Sequence, residues 1–251
     1  MTADLDSLVR WPLDTEEWPH TVLVGALLVA TTPLVVPAVL LAGYAVRLLS
    51  TDIGDDALPS FAGVRALGET GTRAVGIVAA YHLPPLLLLG VGAGGLTTLR
   101  YVGLRSALRP TAVGATLTPA ALSGGVAVAA GVAVLPLCGY LSTIAVTAYA
   151  ATGSVGDAFA AGRLRRRACS TGRLRAWLLA SLVVVGSGVV AFLLGGVATT
   201  VPGVGAVLVG AVRFYGGVVA LGVWNAARPT DCAPGDDPTG TAAVATDPEP
   251  T

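Results

Sequence analysis

Two ionisable side chains lie inside apolar stretches of the sequence, where such groups are candidate functional sites. Arg213 is the single charge within residues 176–227. Three interpretations are open: its side chain snorkels to the interface, binds backbone carbonyls, or faces a water-filled cavity that admits an anion. His82 lies in an uncharged stretch, residues 74–96. It is either a proton-relay group or a packing residue with a satisfied hydrogen bond.

A cluster of arginines lies between residues 152 and 175, where Asp157 is the single acid. Three roles are open: a topology signal, contact with anionic lipid headgroups, or docking of an acidic partner or nucleic acid. No aromatic residue is interleaved with the arginines, which argues against nucleic acid, and we expect none as a partner. The candidate contacts are Arg163, Arg165, Arg166, Arg167, Arg173 and Arg175.

Catalytic and metal-binding patterns are missing from the sequence. The chain has two histidines and three scattered cysteines without a CxxC motif, so we expect no metal site and no disulfide framework. Gly90, Gly92 and Gly95 have dinucleotide-fingerprint spacing, but they lie in an apolar stretch and no acid follows until Asp157. No Ser/His/Asp or Cys/His set is visible. We therefore expect no cofactor and no enzymatic activity.

The composition indicates the class of protein that carries these residues. Of 251 residues, 54% are hydrophobic and 12% are charged, whereas a soluble domain has roughly 25% charged residues. The mean hydropathy is +0.76. So few charges could not cover the surface of a soluble domain of this size. The chain is predicted to be an all-α, polytopic transmembrane helix bundle in the cell membrane.

Apolar stretches predict about five spans, within a range of four to six. The first stretch of 30 residues would make about 45 Å of helix against a hydrocarbon core of roughly 30 Å, so we expect it to bend at Pro33 and Pro37. Residues 1–20 are predicted to form an interfacial segment, residues 21–228 the transmembrane domain, and residues 229–251 a disordered acidic tail. The spans are predicted at residues 21–49, 74–96, 117–150, 176–198 and 205–227.

The distribution of arginines predicts the orientation. By the positive-inside rule, loops 51–73 and 152–175 and the C-terminus are cytoplasmic, and five spans then place the N-terminus outside. Loop 97–112, with Arg100, Arg105 and Arg109, disagrees with this scheme because it would lie outside. Either residues 74–96 form a re-entrant hairpin, or these arginines lie on an amphipathic helix at the outer face.

The two inner loops resemble each other. Each follows a long apolar segment that contains Gly-Tyr, at Gly43-Tyr44 and Gly139-Tyr140. We therefore predict two parallel helix–basic loop–helix repeats plus one C-terminal span, an arrangement found in transporters and in other bundles. Small residues also recur every four positions from Ala121 to Ala133 and predict close helix packing, with another span or a second protomer as the partner.

Short motifs in the chain resemble a known family. They are Trp18 with Gly25, Pro37 with Gly43-Tyr44, residues 153–159 and Arg213-Phe-Tyr215. Over residues 15–228 the chain is similar to the archaeal family catalogued as domain of unknown function 4013. The resemblance implies a multi-span membrane protein of the kind common in haloarchaea, without an assigned activity. An arginine-only basic complement, with no lysine and no glutamine, agrees with a halophilic archaeal origin.

Two functional hypotheses follow. The first is a non-enzymatic membrane protein that acts through helix packing and through anionic lipid headgroups or a partner, either a second copy or another membrane protein. The alternative is a passive permease or channel component for a small solute or anion, for which the repeat and Arg213 are the motivation. Coupled cation transport lacks support because no Asp or Glu lies within any predicted span.

Overall fold

The computed structural model describes residues 10–13, 18–51, 58–107, 119–198 and 202–227, and these residues form helices and their connections. The prediction of an all-α bundle is confirmed. A 3-10 helix at Trp11–Leu13 precedes eight α-helices in the described residues. They are α1 (Trp18–Ala30), α2 (Val35–Ser50), α3 (Val64–Ala107), α4 (Pro119–Thr152), α5 (Val155–Ala158), α6 (Ala161–Ala168), α7 (Thr171–Ala198) and α8 (Pro202–Ala226).

Four helices are long and apolar enough to cross a membrane. Their apolar segments, which overlap four of the predicted spans, are Val64–Gly95, Ser123–Thr152, Thr171–Gly195 and Gly203–Ala226. α3 continues through Pro84 and Pro85 to Ala107. The hypothesis that residues 74–96 form a re-entrant hairpin is therefore wrong. The arginine-bearing residues 97–107 continue α3 as helix, while Arg109 and the N-terminal nine residues lie outside the described part of the chain.

The first apolar stretch is two short helices and not the single span predicted for residues 21–49. α1 and α2 have 13 and 16 residues and are separated at Thr31–Leu34. The Thr31 and Thr32 hydroxyls donate hydrogen bonds to carbonyls of the preceding turn, so the backbone groups freed before Pro33 are partly satisfied. Pro37 lies in the first turn of α2, where its missing N–H is not needed.

Contacts with α8 show that α1 and α2 fold back on each other. Along α1, Gly25 lies against Phe214 and Ala26 against Gly210, so α1 runs antiparallel to α8. Along α2, the rings of Tyr44 and Phe214 lie 5.6 Å apart, and Thr51, which follows the helix, accepts a hydrogen bond from Asn225, so α2 runs parallel to α8. Both open ends of this hairpin therefore lie beside the C-terminal end of α8.

The long helices pack as two antiparallel pairs, α3 with α4 and α7 with α8. Glycines allow close approach: a Cβ on Gly92 would lie 2.8 Å from the carbonyl oxygen of Gly124, and a Cβ on Gly216 would meet Ser187. α2 joins the pairs, since it packs on α3, α4 and α8.

The tightest core lies at one end of the bundle, which we call the basic end. Here α2, α4 and α8 end, α3 and α7 begin, and α5 and α6 connect the two halves. The core cluster at this end includes Ile77, Ile144, Tyr149, Leu164 and Trp224, all buried. A second cluster surrounds Tyr44, whose ring stacks on Phe61 with centroids 4.3 Å apart.

The small-residue stripe from Ala121 to Ala133 does not face another span within the described residues. Gly125, Ala129 and Ala133 are exposed, and a Cβ on Gly125 would meet nothing within 4 Å. The contact of α4 with α3 uses Gly124 and Gly131 instead, which lie one and two positions from the nearest residues of the stripe. The packing of this stripe on another span of the chain is therefore not found in the described structure.

Candidate functional site

The helix α6 presents part of the arginine cluster. Leu164 points into the core of the basic end with 7% of its surface exposed, while Arg165 and Arg166 are exposed. Successive residues on a helix are 100° apart, so one buried leucine directs the neighbouring arginines outward. Arg163 and Arg167 are residues of α6, and their side chains lie outside the described part of the structure.

Two tyrosines attach the connection between α4 and α7 to the long helices. The Tyr81 hydroxyl donates a hydrogen bond of 2.8 Å to the carbonyl of Ala158, the last residue of α5. The Tyr140 hydroxyl donates one of 2.9 Å to the carbonyl of Ala168, the last residue of α6. Both acceptors are terminal carbonyls without a partner in their own helix. These bonds hold α6 in one position on the bundle.

The remaining arginines of the cluster lie at the start of α7. Arg175 is exposed, and Arg173 is half-buried near the hydroxyl of Tyr140. A helix N-terminus carries partial positive charge, so arginines at this place do not stabilise α7. The dipole of α7 therefore does not account for the position of these arginines.

The last turn of α2 and the first turn of α3 contribute further arginines to the basic end. Arg47 donates hydrogen bonds of 2.7 Å and 2.9 Å to the carbonyls of Ser60 and Ala62 and thereby fixes residues 58–63. Arg65 pairs with Glu69 at 3.2 Å, and both side chains are largely exposed. Arg47 therefore has a structural role, and the charge of Arg65 is balanced by that of Glu69.

Polar contacts of α8 at the basic end were not predicted from the sequence. The Trp224 indole N–H donates a buried hydrogen bond of 2.7 Å to Thr147 Oγ1, and the amide of Asn225 donates one of 2.9 Å to the Thr51 carbonyl. One signal was available, since Asn225 is the single asparagine of the chain and follows a tryptophan at a span end.

Arg213 lies at the middle of α8, the twelfth of its 25 residues, far from the arginine cluster. Its side chain is exposed, and a terminal guanidinium nitrogen lies 3.8 Å from where a Cβ on Gly188 of α7 would be. No carboxylate in the described part of the chain forms an ion pair with it. The structure does not bring Arg213 together with His82.

His82 bonds to its own helix. Its Nδ1 lies 2.9 Å from the carbonyl oxygen of Val78, one turn earlier in α3, so Nδ1 carries a proton in this arrangement. This contact supports the interpretation of His82 as a hydrogen-bonded residue of the span.

Groups that could hold a metal or a nucleotide are not formed by the described residues. No group of three His, Cys, Asp or Glu side chains is found among them. Cys138 is buried and Cys169 is exposed, and both are free thiols. The glycines of the Gly90-x-Gly92-x-x-Gly95 pattern lie inside α3, where Gly92 packs on α4, and not in a loop before a helix.

Comparison with known proteins identifies a family without identifying an activity. Neither the curated proteins nor the solved structures contain a match to the chain. The profile of the family described as "Protein of unknown function (DUF4013)" matches residues 26–199. This match covers more than half of the sequence and includes α2 to α7, the arginine cluster and both tyrosines that hold the α4–α7 connection. The chain belongs to the DUF4013 family.

Proposed function

We propose that this chain is a non-enzymatic integral membrane protein that binds anionic lipid headgroups through the arginines of α6 and of the start of α7. The observation that carries the proposal is the fixed position of α6. Leu164 is buried and the Tyr140 hydroxyl bonds to the end of the helix, so Arg165 and Arg166 are held outward at the end of the bundle. These arginines therefore form a cluster of positive charge that is already in position to bind anionic headgroups.

The charge distribution supports the same assignment. Residues 20–230 contain 14 arginines and five acids, and ten further acids lie in the two flanking segments. An arginine close to an anionic leaflet contributes about 1 kcal/mol. By the positive-inside rule we propose that the basic end faces the cytoplasm, with loops 51–73 and 152–175 and the C-terminus on that side.

We also propose that the two halves of the chain are repeats and that the protein is archaeal and halophilic. Equivalent residues have similar surroundings: Tyr44 and Tyr140 are both buried, as are Ala74 and Ala176. Phe61 stacks on Tyr44 and Phe159 stacks on Tyr81, so each phenylalanine contacts a tyrosine, although Tyr81 is not the counterpart of Tyr44. The absence of lysine and glutamine from the sequence supports the assignment of origin.

Native mass spectrometry tests lipid binding directly. The delipidated protein is equilibrated with equal amounts of phosphatidylglycerol and phosphatidylcholine, and the bound lipids are counted. The variant Arg165→Gln/Arg166→Gln/Arg175→Gln should bind phosphatidylglycerol at least tenfold more weakly, since each charge contributes about 1 kcal/mol. Raising the salt concentration should weaken binding to the parent protein.

Arg65→Gln is the matched control, because Arg65 is exposed at the same end but is paired with Glu69. It should retain bound phosphatidylglycerol. Equal retention by the triple variant and the parent protein would show that the arginines of α6 and α7 serve topology alone.

The alternative is a passive permease or channel component for a small solute or anion. Its support is Arg213, the one charge in the middle of a long apolar helix. Anion flux into liposomes, measured with the parent protein and with Arg213→Ala, tests it. Flux that disappears in the variant would replace lipid binding as the main function.

A further inference from the structure

A groove separates α4 from the α7–α8 pair. It has a volume of about 460 Å³ and begins near the basic end, where Trp177 and Trp224 line it. Towards the middle of the bundle its walls are Ser181 and Val184 of α7 and Gly217 and Ala220 of α8. Val184 is 51% exposed, so the groove is open at the surface that would face lipid.

The groove exists because the helix pairs meet mainly at the basic end. The ring of Tyr140 in α4 contacts Trp177 and Trp224, with centroids 5.6 Å and 6.4 Å away. Beyond these rings, α7 packs mainly on α8. Large apolar side chains of α7 stay exposed, including Leu182 at 67% and Phe192 at 80%. One more helix beside α7 and α8 would cover this surface.

Arg213 continues the wall of this groove. On α8, Trp224, Ala220, Gly217 and Arg213 are separated by four, three and four residues and therefore share one face. On α7, Trp177, Ser181, Val184 and Gly188 have the same spacing. The Arg213 guanidinium lies against Gly188, the position that extends the α7 face. The charge therefore lies on the face of α8 that lines the groove, one turn beyond Gly217.

A carboxylate opposite Arg213 would compensate its charge, and the described long helices of this chain carry none at that depth. Between Glu17 and Asp231 the acids are Asp52, Asp55, Asp56, Glu69 and Asp157, all outside the middle of the long helices. A second copy of the chain therefore offers no carboxylate to Arg213. A charged side chain at the centre of a bilayer is energetically costly, and a carboxylate partner would offset that cost.

We propose that the groove between α4, α7 and α8 receives a transmembrane helix of another protein, with an Asp or Glu at mid-membrane depth that pairs with Arg213. Depth favours a helix over a lipid. Arg213 is about 17 Å from the start of α8, whereas headgroups lie outside a hydrocarbon core of roughly 30 Å. Gly217 has no side chain and Ala220 has a small one, so the backbone of the partner helix can approach α8 closely.

A synthetic transmembrane peptide tests the charge requirement. The probes are Leu/Ala helices of about 21 residues with a central Glu or, as the isosteric control, a central Gln. Binding in phosphatidylcholine vesicles is followed by Förster transfer to a dye on Cys169, in a background with Cys138→Ala and Cys232→Ser. We expect the Glu peptide to bind about 5- to 30-fold more tightly than the Gln peptide, a difference that Arg213→Leu removes.

Two further variants test the groove itself. Arg213→Glu should lose the Glu peptide and bind a peptide with a central Lys instead. Gly217→Leu should block the Glu peptide, since a Cβ at Gly217 would meet no described residue within 4 Å and a leucine there would fill the groove. Gly90→Leu is the control, an equally open glycine in the apolar part of α3.

Several outcomes would overturn the proposal. They are equal binding of the Glu and Gln peptides, binding that Gly217→Leu leaves unchanged, and failure of the Lys peptide to bind Arg213→Glu. Oleate binding that Arg213→Leu abolishes, with no binding of any peptide, would assign Arg213 to an anionic amphiphile instead. Transfer between two labelled copies that Gly217→Leu abolishes would assign the groove to self-association. Because phosphatidylcholine vesicles contain no anionic lipid, binding of anionic headgroups at the basic end does not affect this measurement.

Discussion

At the scale of single residues, hydrogen bonds between polar side chains hold the basic end together inside an apolar protein. The Trp224 indole N–H donates a hydrogen bond to the Thr147 hydroxyl, which in turn donates a hydrogen bond of 2.8 Å to the Thr143 carbonyl. Both groups are buried, with Trp224 4% exposed. In lipid an unpaired indole N–H has no water to bond to. Separating α8 from α4 would break the bond to Thr147 and leave this N–H unpaired, which costs free energy.

Thr147→Val removes the acceptor of the Trp224 N–H and keeps the side-chain shape. We expect it to lower the free energy of unfolding by about 1–2 kcal/mol, since the indole N–H is left without a partner. Titration of the purified protein with sodium dodecyl sulfate, followed by tryptophan fluorescence, measures this. Thr72→Val is the control, because the Thr72 hydroxyl bonds only to Gly68 in its own exposed turn. An equal effect of the two variants would contradict the prediction.

At the scale of helices, glycines decide which faces meet. A Cβ on Gly71 would collide with the Val39 carbonyl and lie 2.9 Å from the amide nitrogen of Gly43, and a Cβ on Gly43 would collide with the Leu67 carbonyl. α2 and α3 are thus in backbone contact at these positions. The chain contains 33 glycines, so a glycine by itself does not reveal which of them lie at a contact.

Gly71→Ala should push α2 away from α3 and destabilise the protein by roughly 1–3 kcal/mol, the usual cost of overpacking. Gly76→Ala, in the same helix, meets no heavy atom within 4 Å and should leave stability unchanged or slightly increased. Thermal unfolding in detergent, followed by circular dichroism, compares the two. Similar unfolding temperatures for both variants would show that α2 and α3 can move apart at Gly71 without a loss of stability.

At the scale of the whole molecule, the fold-back of α1 and α2 leaves four described helices long enough to cross a membrane, the lower end of the predicted range of four to six. Four long helices and a hairpin open at the basic end place the start of α1 on the side where α8 ends. The arginines that follow α2 and those of α6 lie at this same end. Arg100 and Arg105 belong to the last turns of α3, which ends at the opposite end of the bundle.

Labelling with a membrane-impermeant maleimide tests this topology, in a background with Cys138→Ala and Cys232→Ser. Exposed Cys169 reports the basic end. His20→Cys, at the start of α1, should label from the same side as Cys169, because an antiparallel hairpin returns to the side where it began. Gly203→Cys, at the start of α8, should label from the other side. Labelling of His20→Cys and Gly203→Cys from the same side of the membrane would support the five-span arrangement instead.

The amino-acid sequence by itself determined the class of fold, the approximate places of the four long helices and the concentration of arginines between residues 152 and 175. These are local properties, because hydropathy and charge along about twenty residues decide whether a segment suits a bilayer. Only the tertiary structure decided that residues 18–50 fold back, since Pro33 permits a bend of any angle and the contacts of Gly25 and Tyr44 with Phe214 select the hairpin. It also decided that Arg213 extends a groove, which depends on a neighbour 25 residues earlier in the chain, Gly188.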